Sequence, residues 1–271
     1  MKEGGINRLS FGLQTTNNNL LKSIGRIHNY DQFIENYQLA RKCGFNNINV
    51  DMMFGLPNQT LNDWTESLEK IISLNPEHIS AYSLIIEEGT AFYKLYNDDK
   101  LNLPREDVER EMYHYAKKIL ESNGYHQYEI SNYAKKGREC LHNEAYWKCE
   151  EYIGIGVSAS SFIDNKRIKN IDDIKMYINN IKMDKSIIEE ESHNTQNDNM
   201  EEFMFMGLRM MEGVSEEKFY EKFKVSIDSI YKKIINKNIE KGLLIREGGR
   251  IYLSNLGIEL SNVVMSDMIL E

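Results

Sequence analysis

The chain has 271 residues, of which 41% are hydrophobic and 28% are charged, and its formal net charge at pH 7 is -9. This length and apolar content suffice for one large domain or two smaller ones, and they exclude a disordered or fibrous protein. The negative charge disfavours binding to nucleic acids and to acidic membrane surfaces, and no run of 18 apolar residues predicts a membrane span. With three scattered cysteines and no signal-peptide pattern, we expect a cytoplasmic protein.

The first part of the chain alternates strand-like and helix-like segments. Apolar residues at every second position predict strands, and apolar residues three or four positions apart predict helices. The predicted strands cover residues 7–14, 47–54 and 78–86, and the predicted helices cover residues 30–42, 61–73 and 106–122. This alternation is typical of an α/β fold with a parallel sheet and helices outside it.

The second predicted strand has one apolar and one polar face. Ile48, Val50 and Met52 alternate with Asn47, Asn49 and Asp51. In a (β/α) barrel one face of each strand packs on helices and the other points inward, so a polar inner face indicates a lumen that holds a ligand. An edge strand with one solvated face has the same pattern. The residues alone leave both interpretations open.

In the second half of the chain, the regular alternation of strands and helices ends. Residues 125–130 predict a further strand, and the stretch at 189–199 is rich in Asn, Asp and Glu. Helices followed by a tight hairpin at Gly248-Gly249 are typical of a winged helix. We therefore predict a barrel domain with an extension at 1–165, a linker region at 166–198 and a small, mostly helical winged-helix-like domain at 199–271. With ten basic and twelve acidic residues from position 200 onward, this domain is not expected to bind DNA.

Four segments resemble radical S-adenosylmethionine proteins related to oxygen-independent coproporphyrinogen III oxidase. They are NRLSFGLQ at 7–14, LKSIGRIH at 21–28, NVDMMFGLPNQT at 49–60 and HISAYSL at 78–84. The resemblance continues to the C-terminus and implies a partial (β/α) barrel of the radical S-adenosylmethionine type followed by the winged-helix-like domain. It also implies that S-adenosylmethionine is bound by Gln14, Arg26 and Asp51.

The three residue types suit that ligand. An amide, a guanidinium and a carboxylate can share the hydrogen bonds and charge pairing that an amino acid end, a ribose and a sulfonium require. We expect Gln14 and Asp51 at the carboxyl ends of strands, where barrel sites are built. From the residues alone, a structural ion pair between Arg26 and Asp51 is the alternative.

The segment CLHNEAYW at residues 140–147 resembles the HNxxYW signature of the HemW haem chaperones. The resemblance implies that His142 ligates haem iron beside two aromatic residues, and that the haem passes to an acceptor protein. A hydrogen-bonded loop histidine is the alternative from the residues alone. The alternative function that the resemblance implies is that of an oxygen-independent coproporphyrinogen III oxidase in porphyrin biosynthesis, which carries out oxidative decarboxylation.

One family feature has no counterpart in this sequence. Relatives carry a C-x3-C-x2-C loop that binds a 4Fe-4S cluster, whereas Cys43, Cys140 and Cys149 are separated by 97 and 9 residues. We therefore predict no metal site and no catalysis in this form; a zinc site at Cys140, His142 and Cys149 would lack a fourth ligand. We also expect that barrel strands upstream of the first predicted strand are missing, which leaves residues 7–14 with an exposed edge that a partner or another copy of the chain would cover.

Overall fold

A computed structural model describes residues 1–270. Its residues form two compact units, which divide between Glu139 and Cys140. Within the described residues, no helix has the length and apolar character needed to cross a membrane.

The N-terminal unit contains a five-stranded sheet and five helices. Its elements are β1 (Leu9–Gln14), α1 (Asn18–Ser23), α2 (Tyr30–Lys42), β2 (Ile48–Phe54), α3 (Leu61–Ser73), β3 (His78–Ser83), α4 (Ala91–Asn97), α5 (Glu106–Ser122), β4 (His126–Glu129) and β5 (Asn132–Ala134). The strand order is β1-β2-β3-β5-β4, in which β1, β2 and β3 are parallel and β5 is antiparallel to both β3 and β4. The α/β expectation is confirmed.

Local interactions set the helix boundaries of this unit. Thr60 caps α3, because its hydroxyl accepts a hydrogen bond from the backbone nitrogen of Asp63, whose carboxylate in turn accepts one from the Thr60 backbone nitrogen. Gly44 and Gly124, which follow α2 and α5, adopt the left-handed conformation expected of them. The bounds of α2, α3 and α5 agree with those predicted.

One apolar stripe of α3 packs on the sheet. Trp64, Leu68 and Ile71 are fully buried in the same cluster as Val50 and Met52 of β2. The Trp64 indole nitrogen donates a hydrogen bond to the backbone oxygen of Met112 at 2.8 Å, so the ring is buried without an unsatisfied donor. The apolar face of β2 is therefore the face covered by helices, which leaves its polar face for a site.

The C-terminal unit contains two small sheets. Its elements are α6 (Leu141–Trp147), β6 (Ser160–Ile163), β7 (Lys166–Asn170), α7 (Ile174–Lys182), β8 (Ile188–His193), α8 (Gln196–Gly207), β9 (Val214–Ser215), α9 (Glu216–Phe223), α10 (Ile227–Glu240), β10 (Leu244–Glu247), β11 (Arg250–Leu253), α11 (Asn255–Glu259) and α12 (Ser261–Ser266). The sheets have the orders β6-β7-β8 and β10-β11-β9, and all their pairs are antiparallel. The hairpin β10-β11 after α9 and α10 is the predicted winged-helix-like arrangement.

The domain boundaries differ from those predicted. Residues 166–198, expected to be a linker, contain β7, α7 and β8. The acidic side chains that suggested a linker are exposed on β8, an edge strand whose backbone is paired with β7. The compact units also divide at 139, not at 165.

Candidate functional site

The polar face of the five-stranded sheet carries the candidate site of the N-terminal unit. Ser10 lies opposite Asn49 in the β1-β2 register. The Ser10 hydroxyl donates to Asp51 Oδ2 at 3.0 Å, and Asn49 Nδ2 donates to Asp51 Oδ1 at 2.7 Å. Because β2 lies between β1 and β3, the alternative that its polar residues mark an edge strand is wrong.

Asp51 lies in the middle of β2, which corrects the expectation that it would lie at the carboxyl end of the strand. The strand continues beyond it because the next three residues, up to Phe54, remain paired with β3. Asp51 faces Gly12 on one neighbouring strand and Ser80 on the other. Its carboxylate accepts hydrogen bonds from two sheet side chains, Ser10 and Asn49.

Gln14 is the last residue of β1, as expected, and its backbone is in the left-handed region with φ 76°. The β1-β2 register shifts between Gly12 and Gln14. A Cβ atom at position 12 would lie 3.3 Å from Gln14 Nε2, so the glycine leaves room for the amide to fold back over the strand position that faces Asp51. The structure thus brings Gln14 and Asp51 to the same region of the sheet.

Arg26 lies in the turn after α1 and is exposed. It forms no ion pair or side-chain hydrogen bond with any of residues 1–270, so the alternative of a structural Arg26–Asp51 pair is wrong. The preceding residues 23–25 line an open cleft of about 510 Å³ together with Ile85 and Phe92. Contact between Arg26 and the other two site residues stays a prediction.

His142 lies on α6 in the C-terminal unit and is exposed. Its ring packs edge-on against Tyr146 at a centroid distance of 4.7 Å, and Tyr146 packs in the same manner against Tyr152, also at 4.7 Å. The imidazole has no hydrogen bond to the rest of the described chain. It is therefore not the hydrogen-bonded loop histidine of the alternative interpretation, and both ring nitrogens can reach a ligand.

Trp147 lines two small cavities in the same unit. One, of about 180 Å³, is also lined by Tyr146 and Cys149, and the other, of about 140 Å³, is also lined by Phe203 and Met210. Both are smaller than the roughly 300–1,000 Å³ typical of pockets that enclose a small molecule. A porphyrin near α6 would therefore bind on the surface and not inside either cavity.

His78 is not among the site residues predicted from the sequence, although the strand pattern contains a signal for it. His78, Ser80 and Tyr82 alternate with buried apolar residues on β3, as Asn49 and Asp51 do on β2. His78 is fully buried, and burial together with the charge of Arg8 lowers its pKa to about 3. The ring is thus neutral at physiological pH.

Comparison with known proteins identifies the family. The model of the radical SAM superfamily matches residues 1–71, and the model of the HemN C-terminal domain matches residues 194–260. The heme chaperone HemW of Bacillus subtilis (strain 168) is 42% identical over 265 residues, which are 97% of this chain and 70% of that protein. The chain belongs to the HemW family.

Further similarities agree with the HemW assignment. The heme chaperone HemW of Lactococcus lactis is 39% identical, over 100% of this chain and 71% of that protein. The solved structure of coproporphyrinogen III oxidase (HemN) from Escherichia coli, described as a radical SAM enzyme, matches with a TM-score of 0.81 and 18% identity. That match covers 99% of this chain and 65% of HemN, and it confirms the fold.

The three cysteines of this HemW-family chain are the thiol donors that an iron–sulfur cluster would need. Cys43 is exposed, Cys140 is buried and Cys149 is half-buried. Burial raises the pKa of Cys149 to about 11, so at neutral pH this thiol is protonated when no metal ion is bound. Within residues 1–270, no three His, Cys, Asp or Glu side chains are grouped to hold a metal ion. The donor set therefore does not fit an iron–sulfur cluster.

The polar face of the sheet does fit a ligand such as S-adenosylmethionine. Gln14 Oε1 is buried and accepts no hydrogen bond from the described residues. A buried acceptor without a donor costs about 1–3 kcal/mol, which a ligand hydroxyl or ammonium can recover. Asp51, whose carboxylate is held by Ser10 and Asn49, adds an acceptor for a cationic or hydroxyl group.

Proposed function

We propose that this chain binds haem through His142 on the exposed face of α6, releases it to an acceptor protein, and holds S-adenosylmethionine on the polar face of its sheet. The single observation that carries the haem proposal is an exposed imidazole with no hydrogen-bond partner in the described chain, packed against Tyr146. Neutral histidine is a common axial ligand of haem iron. The name shared by the curated relatives, heme chaperone, supports the same function.

The surface around His142 suits a large flat apolar cargo. The Tyr146–Tyr152 ring contact joins α6 to the segment after residue 152, and Ile153 and Ile155 in that segment are exposed, as is Leu141 on α6. This segment is held in place by the pairing of Tyr152 with Phe162. Apolar side chains exposed on a fixed backbone favour binding of an apolar partner.

An exposed site also suits a chaperone better than a deep pocket does. Cargo bound at a surface keeps one face accessible, so an acceptor can approach it before it is released. A single protein ligand makes the bond easy to exchange, whereas a haem enclosed in the protein would dissociate slowly. The small volumes of the cavities beside Trp147 support this open mode of binding.

In the N-terminal unit, the residues of this chain would bind and orient S-adenosylmethionine. The ligand supplies a sulfonium cation, an amino acid end and ribose hydroxyls. Gln14 Oε1 would accept a hydrogen bond from it, and Asp51 would pair with a donor or a positive group. Arg26 would reach its carboxylate from the turn after α1. Coproporphyrinogen III oxidation gains no comparable support, because the match to HemN at 18% identity concerns the fold alone.

Haem titration with absorbance detection tests the proposal on the full chain. Wild type should develop the Soret band of histidine-ligated haem, and His142→Ala should lose that band and bind at least about tenfold more weakly, as expected when about 1.4 kcal/mol or more of ligation is lost. His193→Ala is the matched control, since His193 is also exposed in the C-terminal unit but, among residues 1–270, no aromatic ring packs against it. Its spectrum should equal that of wild type.

Transfer is tested by mixing the haem-loaded chain with apomyoglobin. The spectrum should change to that of holomyoglobin in a second-order process. Equal spectra and affinities for wild type and His142→Ala would remove His142 from the proposed role, and retention of haem by the chain in the presence of excess apomyoglobin would contradict the delivery function.

A further inference from the structure

A chain of hydrogen bonds crosses the polar face of the sheet and ends at Asp51. The Tyr128 hydroxyl on β4 lies 2.9 Å from Nε2 of His78, and His78 Nδ1 lies 2.7 Å from Oδ1 of Asn49. Asn49 Nδ2 then lies 2.7 Å from Asp51 Oδ1. Three of these four side chains lie on strands β2 and β3. The hydrogen-bonded series is therefore held in place by strand pairing and not by loops.

The direction of each hydrogen bond follows from the chemistry of its partners. Asn49 Nδ2 donates to both Asp51 and Ser10, because the opposite amide orientation would place an oxygen against the Asp51 carboxylate. The Asn49 oxygen therefore faces His78, and since it only accepts, the proton of His78 is on Nδ1. The neutral ring then accepts the Tyr128 hydroxyl at Nε2.

We infer that Asn49 and His78 are positioning residues that fix the orientation of the Asp51 carboxylate for its ligand. The inference rests on the proposed S-adenosylmethionine site. Asn49 holds one carboxylate oxygen and Ser10 holds the other, so the group cannot rotate, while each oxygen keeps a lone pair for a ligand donor. His78, whose hydrogen bond to the Asn49 oxygen at 2.7 Å is shorter than that of the Ser80 hydroxyl at 3.2 Å, in turn opposes flipping of the Asn49 amide. A carboxylate oriented before binding loses less entropy when the ligand arrives.

A purely structural role for His78 makes a different prediction, which a matched pair of substitutions separates. In His78→Asn, the new amide nitrogen can take the place of Nδ1 and donate to Asn49. In His78→Leu, the buried volume is kept but the imidazole donor is lost, and the Asn49 oxygen keeps only the longer hydrogen bond from the Ser80 hydroxyl, at 3.2 Å. Positioning therefore predicts that the Asn variant retains ligand affinity and the Leu variant does not, whereas a packing role predicts the reverse order, because leucine suits a buried site better.

Two measurements on the full chain decide the inference. Nitrogen-15 spectroscopy of the imidazole reports which ring nitrogen of His78 carries the proton, with or without ligand. Isothermal titration reports S-adenosylmethionine affinity. We expect the Nδ1–H form in wild type, an affinity within about threefold of wild type for His78→Asn, and a loss of about tenfold for His78→Leu, the scale of one hydrogen bond to a charged group.

The possible failures are distinguishable. A proton on Nε2 of wild-type His78, or equal affinities for the Asn and Leu variants, would overturn the inference. Lack of S-adenosylmethionine binding by wild type would overturn the proposed site, while the Nδ1–H form would still support the hydrogen-bond chain. Should His78→Leu fail to fold, Asn49→Leu replaces it, and that variant should also bind about tenfold more weakly than wild type.

Discussion

His78 shows how a single buried residue links the polar face of the sheet to the stability of the N-terminal unit. Its pKa in the folded protein is about 3 because of burial and the nearby charge of Arg8, whereas an unfolded histidine has a pKa of about 6.5. Above pH 6.5 neither state binds the proton. Between pH 6.5 and 3 only the unfolded chain binds it, so stability falls as the pH falls, and below pH 3 this contribution changes no further.

We predict that replacing His78 removes a measurable part of the acid sensitivity. Wild type should lose about 1.4 kcal/mol of unfolding free energy per pH unit through His78 between pH 6 and 5, in addition to the contributions of other groups. His78→Asn should lack this contribution. The difference in unfolding free energy between wild type and His78→Asn should therefore narrow by that amount from pH 6 to pH 5. Urea unfolding in a Trp147→Phe background, where Trp64 fluorescence reports on the N-terminal unit, measures it. Parallel pH profiles would contradict the prediction.

At the scale of elements, local sequence signals account for most boundaries, and the exceptions have local causes. Helix α8 begins at Gln196, within the stretch taken for a linker, because Thr195 and Asp198 form a capping box there. It ends at Gly207, before the turn that leads to β9. In that turn the backbone of Gly213 lies against β11, which no local pattern predicts.

We predict that Gly213→Ala destabilises the winged-helix-like region far more than Gly242→Ala does. Both glycines have positive φ, 64° and 71°, so both substitutions carry the strain of a left-handed alanine, about 1 kcal/mol. At position 213 the new Cβ would also lie 2.2 Å from the Ile251 backbone oxygen, whereas at 242 it meets no atom within 4 Å. We expect a loss of about 3 kcal/mol or more at 213. Amide hydrogen exchange in β11 measures the stability of both variants. Equal protection of the β11 amides in Gly213→Ala and Gly242→Ala would contradict the prediction.

At the scale of the whole molecule, each compact unit has its own apolar interior. The C-terminal unit buries residues from α8, α9, α10 and the hairpin, among them Met204, Phe219, Tyr231 and Ile251. By contrast, α7 and β8 bury no side chain at all. The core of this unit therefore depends on the helices and hairpin of the winged-helix-like region.

We predict that a fragment of residues 140–271 folds by itself. Its core and its two sheets are formed within the unit, so the fragment should unfold cooperatively and give dispersed amide resonances. Thermal unfolding followed by near-ultraviolet circular dichroism measures this, with Trp147 as a probe. A fragment that lacks a near-ultraviolet signal and binds a hydrophobic dye would contradict independent folding.

The sequence by itself determined the α/β class, the family and most helices and strands. These follow from periodicity and caps, which act within a few residues, and from motifs that are contiguous in the chain. The predicted bounds of α2, α3 and α5 agree with the structure for this reason. Alternation on β2 also indicated a polar face, and Gln14 was correctly placed at the end of β1.

Only the tertiary structure decided which residues surround Asp51. Strand order placed β2 between two neighbours, so that Ser10 and Asn49 hold the carboxylate and His78 holds Asn49. Ser10 and Asp51 are 41 residues apart along the chain, and Asn49 and His78 are 29 residues apart. A local sequence pattern cannot predict which residues of separate strands lie opposite each other. Likewise, only the folded chain showed that residues 166–198 are strand and helix, because an edge strand with exposed acidic side chains has the same composition as a linker.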